Sequence, residues 1–228
     1  MAEKYLIAID AGTGSGRCLV FNTSGKEMAS ATREWTHETI PKYLGSQVFD
    51  TAQNWKLLCD CVREALQKAK VSASKVAAVS ATSMREGMVL YNKGGKEIWA
   101  CPNADARAAD EVTELTKKGL SQKIYSIGGD WPSIIDPPRF LWIRKHEPEI
   151  YRRISHMTML SDWILYKLSG KFVTEPSVAS SSGMFDLKKR TWSKDIIEWC
   201  ELSMDIFPKA YEAGTATGEV TKEAAAQT

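Results

Sequence analysis

The sequence has few of the residues that build metal sites or disulfide frameworks. It contains 3 histidines and 5 cysteines, an odd number without a C-x-x-C pair, so neither a zinc site nor a disulfide scaffold is expected. Even Cys59 and Cys61 are two residues apart in a helical pattern, where side chains diverge. We expect these thiols to be structural, in a reducing, cytoplasmic compartment.

The first residues also have no leader pattern, and the sequence has neither a long apolar run nor an excess of charge of one sign. Its first residues have no basic stretch followed by an apolar one, and no run approaches the roughly 18 apolar residues of a membrane helix. Lysine and arginine number 30 against 28 aspartates and glutamates, and no basic run is denser than Lys188–Arg190. We therefore expect neither a membrane nor a nucleic acid as a partner.

What remains is the composition of an ordinary globular protein. Of the 228 residues, 43% are hydrophobic and 25% are charged, and this length suits one large domain or two small ones. The sequence contains no repeat, low-complexity tract or Pro/Ser linker, so nothing marks a domain boundary. Its 8 tryptophans leave three uses open: core packing, an interface to another lobe, and a homodimer contact.

Two apolar runs near the start surround a glycine-rich loop. Tyr5–Ile9 and Cys18–Phe21 are typical of strands, Asp10–Arg17 lies between them, and a third strand is expected near residues 27–35. These patterns predict an antiparallel meander. The glycines of the loop lead into a strand, and they lack both the G-x-G-x-x-G spacing and the Walker lysine. A Rossmann or P-loop fold is therefore excluded.

The rest of the sequence alternates between helical and strand patterns. We expect a buried parallel strand at 76–81, reached through a long helix at 50–70. The later patterns predict a hairpin at 88–91 and 96–99, and helices at 104–118, 138–145, 161–168 and 220–226. The last helical pattern is unfinished where the sequence stops, which indicates a chain that has been cut.

The glycine-rich loop is the strongest candidate for chemistry. Asp10 ends a strand, and it is followed by Gly12, Thr13, Gly14, Ser15 and Arg17. Small residues let backbone N–H groups approach a phosphate, hydroxyls add donors, and the carboxylate can hold a hydrated Mg²⁺. The same residues are common in hairpin turns, so the loop alone leaves both interpretations open.

Two further segments carry candidate binding residues. Arg85 and Glu86 follow the predicted parallel strand, where α/β sheets place their ligands, and together they could hold hydroxyl groups. Trp99, Asp105 and Arg107 combine an aromatic wall with polar groups, which is typical of a small-molecule pocket. Each segment has a structural alternative: a solvated ion pair for the first, and a core tryptophan with a helix cap for the second.

Four segments in this order resemble the N-terminal half of the FGGY carbohydrate kinases. They are Asp10–Arg17, Met84–Gly87, Trp99 through Asp105-x-Arg107, and Asp162–Gly170 with Val173–Ser180. Within that family, residues 79–92 and 98–108 most closely resemble the autoinducer-2 kinases. The arginine–glutamate pair is also found in glycerol kinases and does not separate the two groups.

The resemblance implies an α/β fold, an RNase H-like lobe of the actin-like ATPase superfamily with a mixed five-stranded sheet and helices on both faces. It implies ATP and Mg²⁺ as cofactors, with Asp10 holding the metal through water and Arg17 supporting the loop. The phosphates would lie against Gly12, Thr13, Gly14 and Ser15, and the substrate against Arg85, Glu86, Trp99, Asp105 and Arg107. The implied reaction transfers the γ-phosphate to a terminal hydroxyl of a small polyhydroxylated substrate, such as the autoinducer-2 precursor dihydroxypentanedione.

The resemblance covers residues 1–228 as an N-terminal domain, without the C-terminal lobe that supplies the general base in this family. We therefore expect no catalytic base in this chain and essentially no activity from it alone. Three other functions stay open: a pentulose or glycerol kinase of the same family, a non-catalytic sugar-binding domain, and an interaction domain whose glycine-rich loop is only a hairpin.

Overall fold

The main sheet is built around the first strand of the chain. The computed structural model describes residues 3–228. The predicted antiparallel meander is confirmed as β1 (Tyr5–Ala11), β2 (Ser15–Asn22) and β3 (Glu27–Glu34). The predicted parallel strand is confirmed as β4 (Val76–Ser83), which pairs with β1 and gives the strand order β3-β2-β1-β4.

This mixed sheet has four strands within residues 3–228, so the expected number of five was wrong. After β4 the chain turns away, and β5 (Met88–Tyr91) pairs with β6 (Glu97–Cys101) and β7 (His156–Met159) in a separate antiparallel sheet. The hairpin of β5 and β6 is the one predicted. In the described chain β4 is therefore an edge strand, and because no strand covers its outer edge, Ala77 and Ala78 are exposed rather than buried.

A long helix, α1 (Thr51–Ala69), connects the meander to β4 and confirms the helix predicted at 50–70. It begins at Asp50, whose carboxylate accepts a hydrogen bond of 2.9 Å from the N–H of Gln53. Leu58, Val62 and Ala65 recur at helical spacing and are buried. This apolar stripe packs against β2 and β3, which orients the meander beneath the helix.

The remaining elements are short. The helices are α2 (Ala109–Lys117), α3 (Leu120–Gly128), α4 (Asp136–His146), α5 (Pro148–Tyr151), α6 (Leu160–Ser169), α7 (Pro176–Ser180), α8 (Lys194–Trp199) and α9 (Lys222–Gln227). Two small ladders pair β8 (Val173–Thr174) with β11 (Lys209–Ala210) and β9 (Phe185–Asp186) with β10 (Thr191–Trp192). No helix within residues 3–228 has the length and apolar character that crossing a membrane requires.

Helix α2 begins later than predicted, at Ala109 rather than Ala104. The preceding residues use their polar groups in contacts with another loop. The N–H of Ala106 donates to the carbonyl of Gly45 at 2.9 Å, and the carboxylate of Asp105 accepts from the N–H of Gln47 at 2.7 Å. These tertiary contacts hold the segment against the loop at Gly45 and Gln47, and the helix begins only after it.

Helices cover one of the two faces of the four-stranded sheet in the described chain, where we expected both faces to be covered. Ile7 and Ile9 of β1 share a hydrophobic core with α1 and α6. On the opposite face, Leu6 and Met28 are each 39% exposed. The open face also carries Asp10, because residues alternate between faces along β1.

Strand β5 joins two hydrophobic cores. Val89 and Tyr91 belong to the core under the four-stranded sheet, whereas Met88 and Leu90 belong to a second core formed with α4 and α8. All four side chains are fully buried, because one strand face meets each core. The segment between β4 and β5 is therefore anchored on both sides, which matters for the site described next.

Candidate functional site

The glycine-rich loop and the segment after β4 meet at one edge of the sheet. The last residues of β1 and β4, Ala11 and Ser83, are register partners. Immediately beyond them, the N–H of Met84 donates to the carbonyl of Ala11 at 2.8 Å. The fold therefore brings the loop beside Arg85 and Glu86, at the carboxyl ends of two parallel strands.

Asp10 provides the carboxylate of this edge. It lies opposite Arg17 across β1 and β2, and the Nε of Arg17 donates to its Oδ2 at 2.9 Å. The pair is accessible, with 54% of the arginine side chain and 22% of the aspartate side chain exposed. The other oxygen, Oδ1, accepts no hydrogen bond from residues 3–228. A fixed carboxylate with one free oxygen suits a hydrated divalent cation.

Trp35 and His37 form hydrogen bonds with the carbonyl groups of the glycine-rich loop. The indole Nε1 of Trp35 donates to the carbonyls of Gly12 and Thr13 at 3.2 and 3.1 Å, and the Trp35 N–H donates to Gly14 at 3.1 Å. His37 adds a contact of 2.8 Å between its Nε2 and the Thr13 carbonyl. The N–H groups of Thr13 and Gly14 have no acceptor within the described residues. Such free N–H groups can bind an anion.

Two glycines of the loop have different surroundings. A Cβ at Gly16 would lie 2.5 Å from Trp35 and 2.6 Å from Leu58, so this glycine allows the indole to pack beneath the loop. A Cβ at Gly14 would meet no atom within 4 Å, so the loop is open on its outer side. The open side, the free N–H groups and the carboxylate of Asp10 together fit the phosphates and metal of Mg·ATP.

Glu86 has a left-handed backbone conformation, with φ at 57°. The next residue must be glycine, because a Cβ at Gly87 would lie 2.4 Å from the side chain of Leu160. Burial raises the pKa of Glu86, and the charge of Arg85 counteracts this rise. A non-glycine residue with this backbone conformation costs about 1 kcal/mol or more, which is typical of functional positions.

Arg139 is a buried site residue that the sequence analysis missed. Its guanidinium donates hydrogen bonds to four carbonyl groups, those of Glu86, Pro102, Asn103 and Asp105. The carboxylate of Asp136 lies 3.5 Å away, one turn earlier in α4. An aspartate and an arginine three positions apart in the otherwise apolar first part of α4, residues 136–143, are the signal that could have identified it, because buried charges need partners.

Asp105 and Arg107 form a buried ion pair behind the site. The Nε of Arg107 donates to Oδ2 of Asp105 at 2.7 Å, and their side chains are 0% and 1% exposed. The guanidinium lies 5.0 Å from the ring centre of Trp99 and 5.1 Å from that of Trp142. Both side chains are enclosed by protein in this conformation, and their contact with a substrate remains a prediction. Contact of the half-buried Trp99 with a substrate stays a prediction.

Asn103 joins the glycine-rich loop to the turn after β6. The hydroxyl of Thr13 donates to Oδ1 of Asn103 at 3.4 Å, and the Asn103 carbonyl accepts from Arg139 at 3.2 Å. Asn103 was not among the predicted site residues, although it lies within the motif between Trp99 and Arg107. Arg139 of α4 thus connects Glu86 with the glycine-rich loop by way of Asn103.

A cleft of about 260 Å³ opens beside β4 at the same edge. Its lining includes Thr82, the register partner of Asp10, together with Asp162 and Thr174 of the fourth motif. Burial raises the pKa of Asp162 to about 8, and the hydroxyl of Thr174 counteracts this rise. The carboxyl group therefore keeps its proton at neutral pH.

Known proteins are similar in sequence to this chain over nearly its full length. The autoinducer-2 kinase of Salmonella typhimurium is 44% identical over 226 residues, which cover 98% of this chain and 43% of that protein. The autoinducer-2 kinase of Yersinia enterocolitica is 45% identical over 224 residues, which cover 97% of this chain and 42% of that protein. The chain thus spans less than half the length of these relatives.

The fold is shared with a solved kinase structure. The xylulose kinase of Rhodospirillum rubrum superimposes with a TM-score of 0.90 at 26% identity, over 99% of this chain and 46% of that one. Residues 5–228 also match the model for the N-terminal domain of the FGGY family of carbohydrate kinases. With this match over almost the whole sequence, and with the phosphate loop and Glu86 at one sheet edge, the chain belongs to the FGGY family of carbohydrate kinases.

Proposed function

We propose that this chain forms the phosphate-binding and acceptor-binding part of an ATP-dependent carbohydrate kinase. The complete protein transfers the γ-phosphate of ATP to a terminal hydroxyl of a small polyhydroxylated substrate. The proposal depends chiefly on the hydrogen bond from Met84 to Ala11, which joins the phosphate loop to the Arg85–Glu86 segment at one sheet edge. Phosphoryl transfer needs this proximity, because its catalysis consists mainly of positioning and charge stabilisation.

On the phosphate side, Asp10 holds Mg²⁺ through water and Arg17 keeps its carboxylate oriented. The loop Gly12–Ser15 binds the phosphates through N–H groups and hydroxyls. Bound Mg·ATP supplies the phosphoryl group and neutralises charge on its oxygens. The bonds from Trp35 support this role, because they turn the loop carbonyls away from an incoming anion.

On the acceptor side, Glu86 accepts hydrogen bonds from substrate hydroxyls and the exposed Arg85 donates to them. The partial burial of Glu86 strengthens such bonds, because less water competes for the carboxylate. Trp99 offers an apolar wall, and Arg107 and Asp105 hold it from behind through the stacked guanidinium.

We propose dihydroxypentanedione, the autoinducer-2 precursor, as the acceptor. Relatives named autoinducer-2 kinase at 44% and 45% identity support this assignment. A pentulose is the second candidate acceptor, because the xylulose kinase of Rhodospirillum rubrum shares the fold at 26% identity.

The general base belongs, in this proposal, to a C-terminal lobe outside residues 1–228. The chain spans 43% of the Salmonella relative, which leaves room for such a lobe in the complete protein. We assign the protein to the cytoplasm, where its five free and buried thiols would stay reduced. A homodimer stays a prediction.

The test is a coupled kinase assay on the full-length protein, with dihydroxypentanedione, xylulose and glycerol as separate acceptors. We expect turnover of dihydroxypentanedione and a collapse of activity in Asp10→Ala and Glu86→Ala. A preference for xylulose or glycerol would reject the acceptor but keep the kinase. Turnover of none of the three would reject the proposed function.

Two measurements on residues 1–228 alone complete the test. We expect no ATP-dependent phosphorylation by this chain, and detectable turnover would reject the placement of the general base in another lobe. We also expect Mg·ATP to raise the melting temperature, because a ligand that binds the folded state stabilises it. A domain whose loop is only a hairpin would show no shift.

A further inference from the structure

Arg139 occupies an unusual position for a charged residue. Its side chain is 1% exposed, and its ionic partner Asp136 is 3.5 Å away and 0% exposed. Burying a guanidinium is unfavourable unless it is hydrogen-bonded and paired. Four of its hydrogen bonds go to backbone carbonyls of other segments rather than to its own helix. The residue therefore links separate parts of the chain.

One of these carbonyls belongs to Glu86, the proposed acceptor ligand. Nη1 of Arg139 donates to it, and the residue that carries it has the left-handed φ of 57°. An L-residue leaves that conformation readily unless its surroundings impose it. The bond from Arg139 holds the carbonyl, and with it the direction in which the Glu86 carboxylate points.

The other three carbonyls belong to the turn after β6. Nη2 of Arg139 donates to Pro102 and Asn103 at 3.2 Å and to Asp105 at 3.1 Å. The side chain of Asn103 in turn lies 3.4 Å from the hydroxyl of Thr13 in the phosphate loop. One planar guanidinium thus connects the acceptor segment with a turn that touches the phosphate loop.

We propose that Arg139 is a positioning residue that fixes the distance between the acceptor carboxylate of Glu86 and the phosphate loop. It acts through Glu86 and Asn103 and does not itself touch the substrate. The guanidinium fork is essential to this role, because its two terminal nitrogens serve the two segments at once. This inference rests on the proposed kinase function.

Trp192 provides a control outside the proposed site. It is buried, and its indole Nε1 donates to the carbonyl of Pro208 at 2.7 Å. This hydrogen bond reaches neither Glu86 nor Asn103. Trp192→Phe therefore leaves a buried carbonyl without its donor but does not release the acceptor segment.

The experiment measures KM for the acceptor and for ATP in the full-length kinase and its variants Arg139→Met, Arg139→Lys and Trp192→Phe. For Arg139→Met we expect KM for the acceptor to rise about tenfold or more, because the Glu86 carbonyl loses its partner. KM for ATP should change less than about twofold. Lysine keeps the charge but not the fork, so Arg139→Lys should show the same selective rise at reduced size.

A second measurement removes the carboxylate of Glu86, which we propose binds the acceptor. If Arg139 acts through Glu86, the double variant Glu86→Gln with Arg139→Lys should have a KM for the acceptor no higher than that of Glu86→Gln alone. Additive losses would overturn the inference. So would equal changes of both KM values, or an acceptor defect of the same size in Trp192→Phe. Failure of Arg139→Met to fold leaves the lysine variant and the double variant to decide.

The outcomes separate this inference from the proposed function. If the unmodified protein phosphorylates none of the acceptors, the function is wrong and the inference falls with it. If it phosphorylates one of them and Arg139→Lys keeps the normal KM for that acceptor, the inference alone is wrong.

Discussion

Arg17 places both Nε and Nη2 2.9 Å from one oxygen of Asp10, Oδ2, across the β1–β2 pair. The ion pair occupies one side of the carboxylate and leaves Oδ1 available. The pairing follows from strand register, because Asp10 and Arg17 are opposite each other in the meander. A local hairpin therefore prepares the carboxylate that we assign to the metal.

Replacing Asp10 by asparagine tests that assignment on the chain itself. We expect Asp10→Asn to lose the rise in melting temperature that Mg·ATP produces, because the amide carries no charge for the metal. Stability without ligand should change by about 1 kcal/mol or less, since the ion pair is exposed. Arg17→Met removes the same ion pair but keeps the carboxylate, so a measurable shift should remain. A full shift in Asp10→Asn would contradict the role of Asp10.

Substitutions at the two loop glycines should separate packing from phosphate binding. Gly16→Ala should destabilise the chain by about 1–3 kcal/mol in urea unfolding, because its methyl group meets Trp35 and Leu58. Gly14→Ala has open space and should leave stability within about 0.5 kcal/mol. The methyl group would face the phosphates, however, so we expect a smaller stabilisation by Mg·ATP. Equal stability losses in the two variants would show that the loop packs differently.

The left-handed conformation of Glu86 predicts that two substitutions there differ in stability although both lose activity. Glu86→Gly should be about 1 kcal/mol more stable than Glu86→Ala, because glycine adopts φ of 57° without steric cost. Both variants should lose activity with the acceptor in the full-length kinase, because both lack the carboxylate. Urea unfolding and the coupled assay measure the two effects. Equal stabilities would mean that the strain at this position is relieved elsewhere.

Buried Asp162 predicts a dependence of stability on pH. Burial raises its pKa in the folded chain to about 8, above the ordinary value of 3.8. Between these values the folded state holds a proton that the unfolded state has released, so this group lowers stability as pH rises. Between pH 5 and pH 8 we expect the free energy of unfolding to fall by roughly 3 kcal/mol less in Asp162→Asn than in the unmodified chain, measured by urea unfolding. Identical pH profiles would place the Asp162 carboxyl in a more polar setting.

Local signals predicted the elements that depend on neighbouring residues. The apolar runs at Tyr5–Ile9 and Cys18–Phe21 were sufficient to predict β1 and β2, because the side-chain pattern of a strand is contained within a few residues. The prediction for α2 was wrong at its start. There the polar groups of Asp105 are engaged by a loop that is distant in sequence, and no local pattern contains that information.

The site shows the same division. Asp10, the glycine loop and the Arg85–Glu86 pair were identified from residue types and order, although their roles with a ligand stay predictions. Arg139 was missed because its significance lies in four carbonyls from other segments. The packing of Arg107 could not be predicted either, because the two rings that enclose its guanidinium, Trp99 and Trp142, come from separate segments.

The amino-acid sequence alone was enough to predict the meander, α1, the glycine-rich loop with its acidic neighbour, and the kinase family. These depend on short-range chemistry: apolar periodicity, capping hydroxyls and carboxylates, and the freedom of glycine. Tertiary structure decided that β5 leaves the main sheet, that β4 is an edge strand, and that Arg139 joins Glu86 to the turn near Thr13. Those facts arise from pairing and burial between distant segments, whose free energies depend on the whole packed chain rather than on any local run of residues.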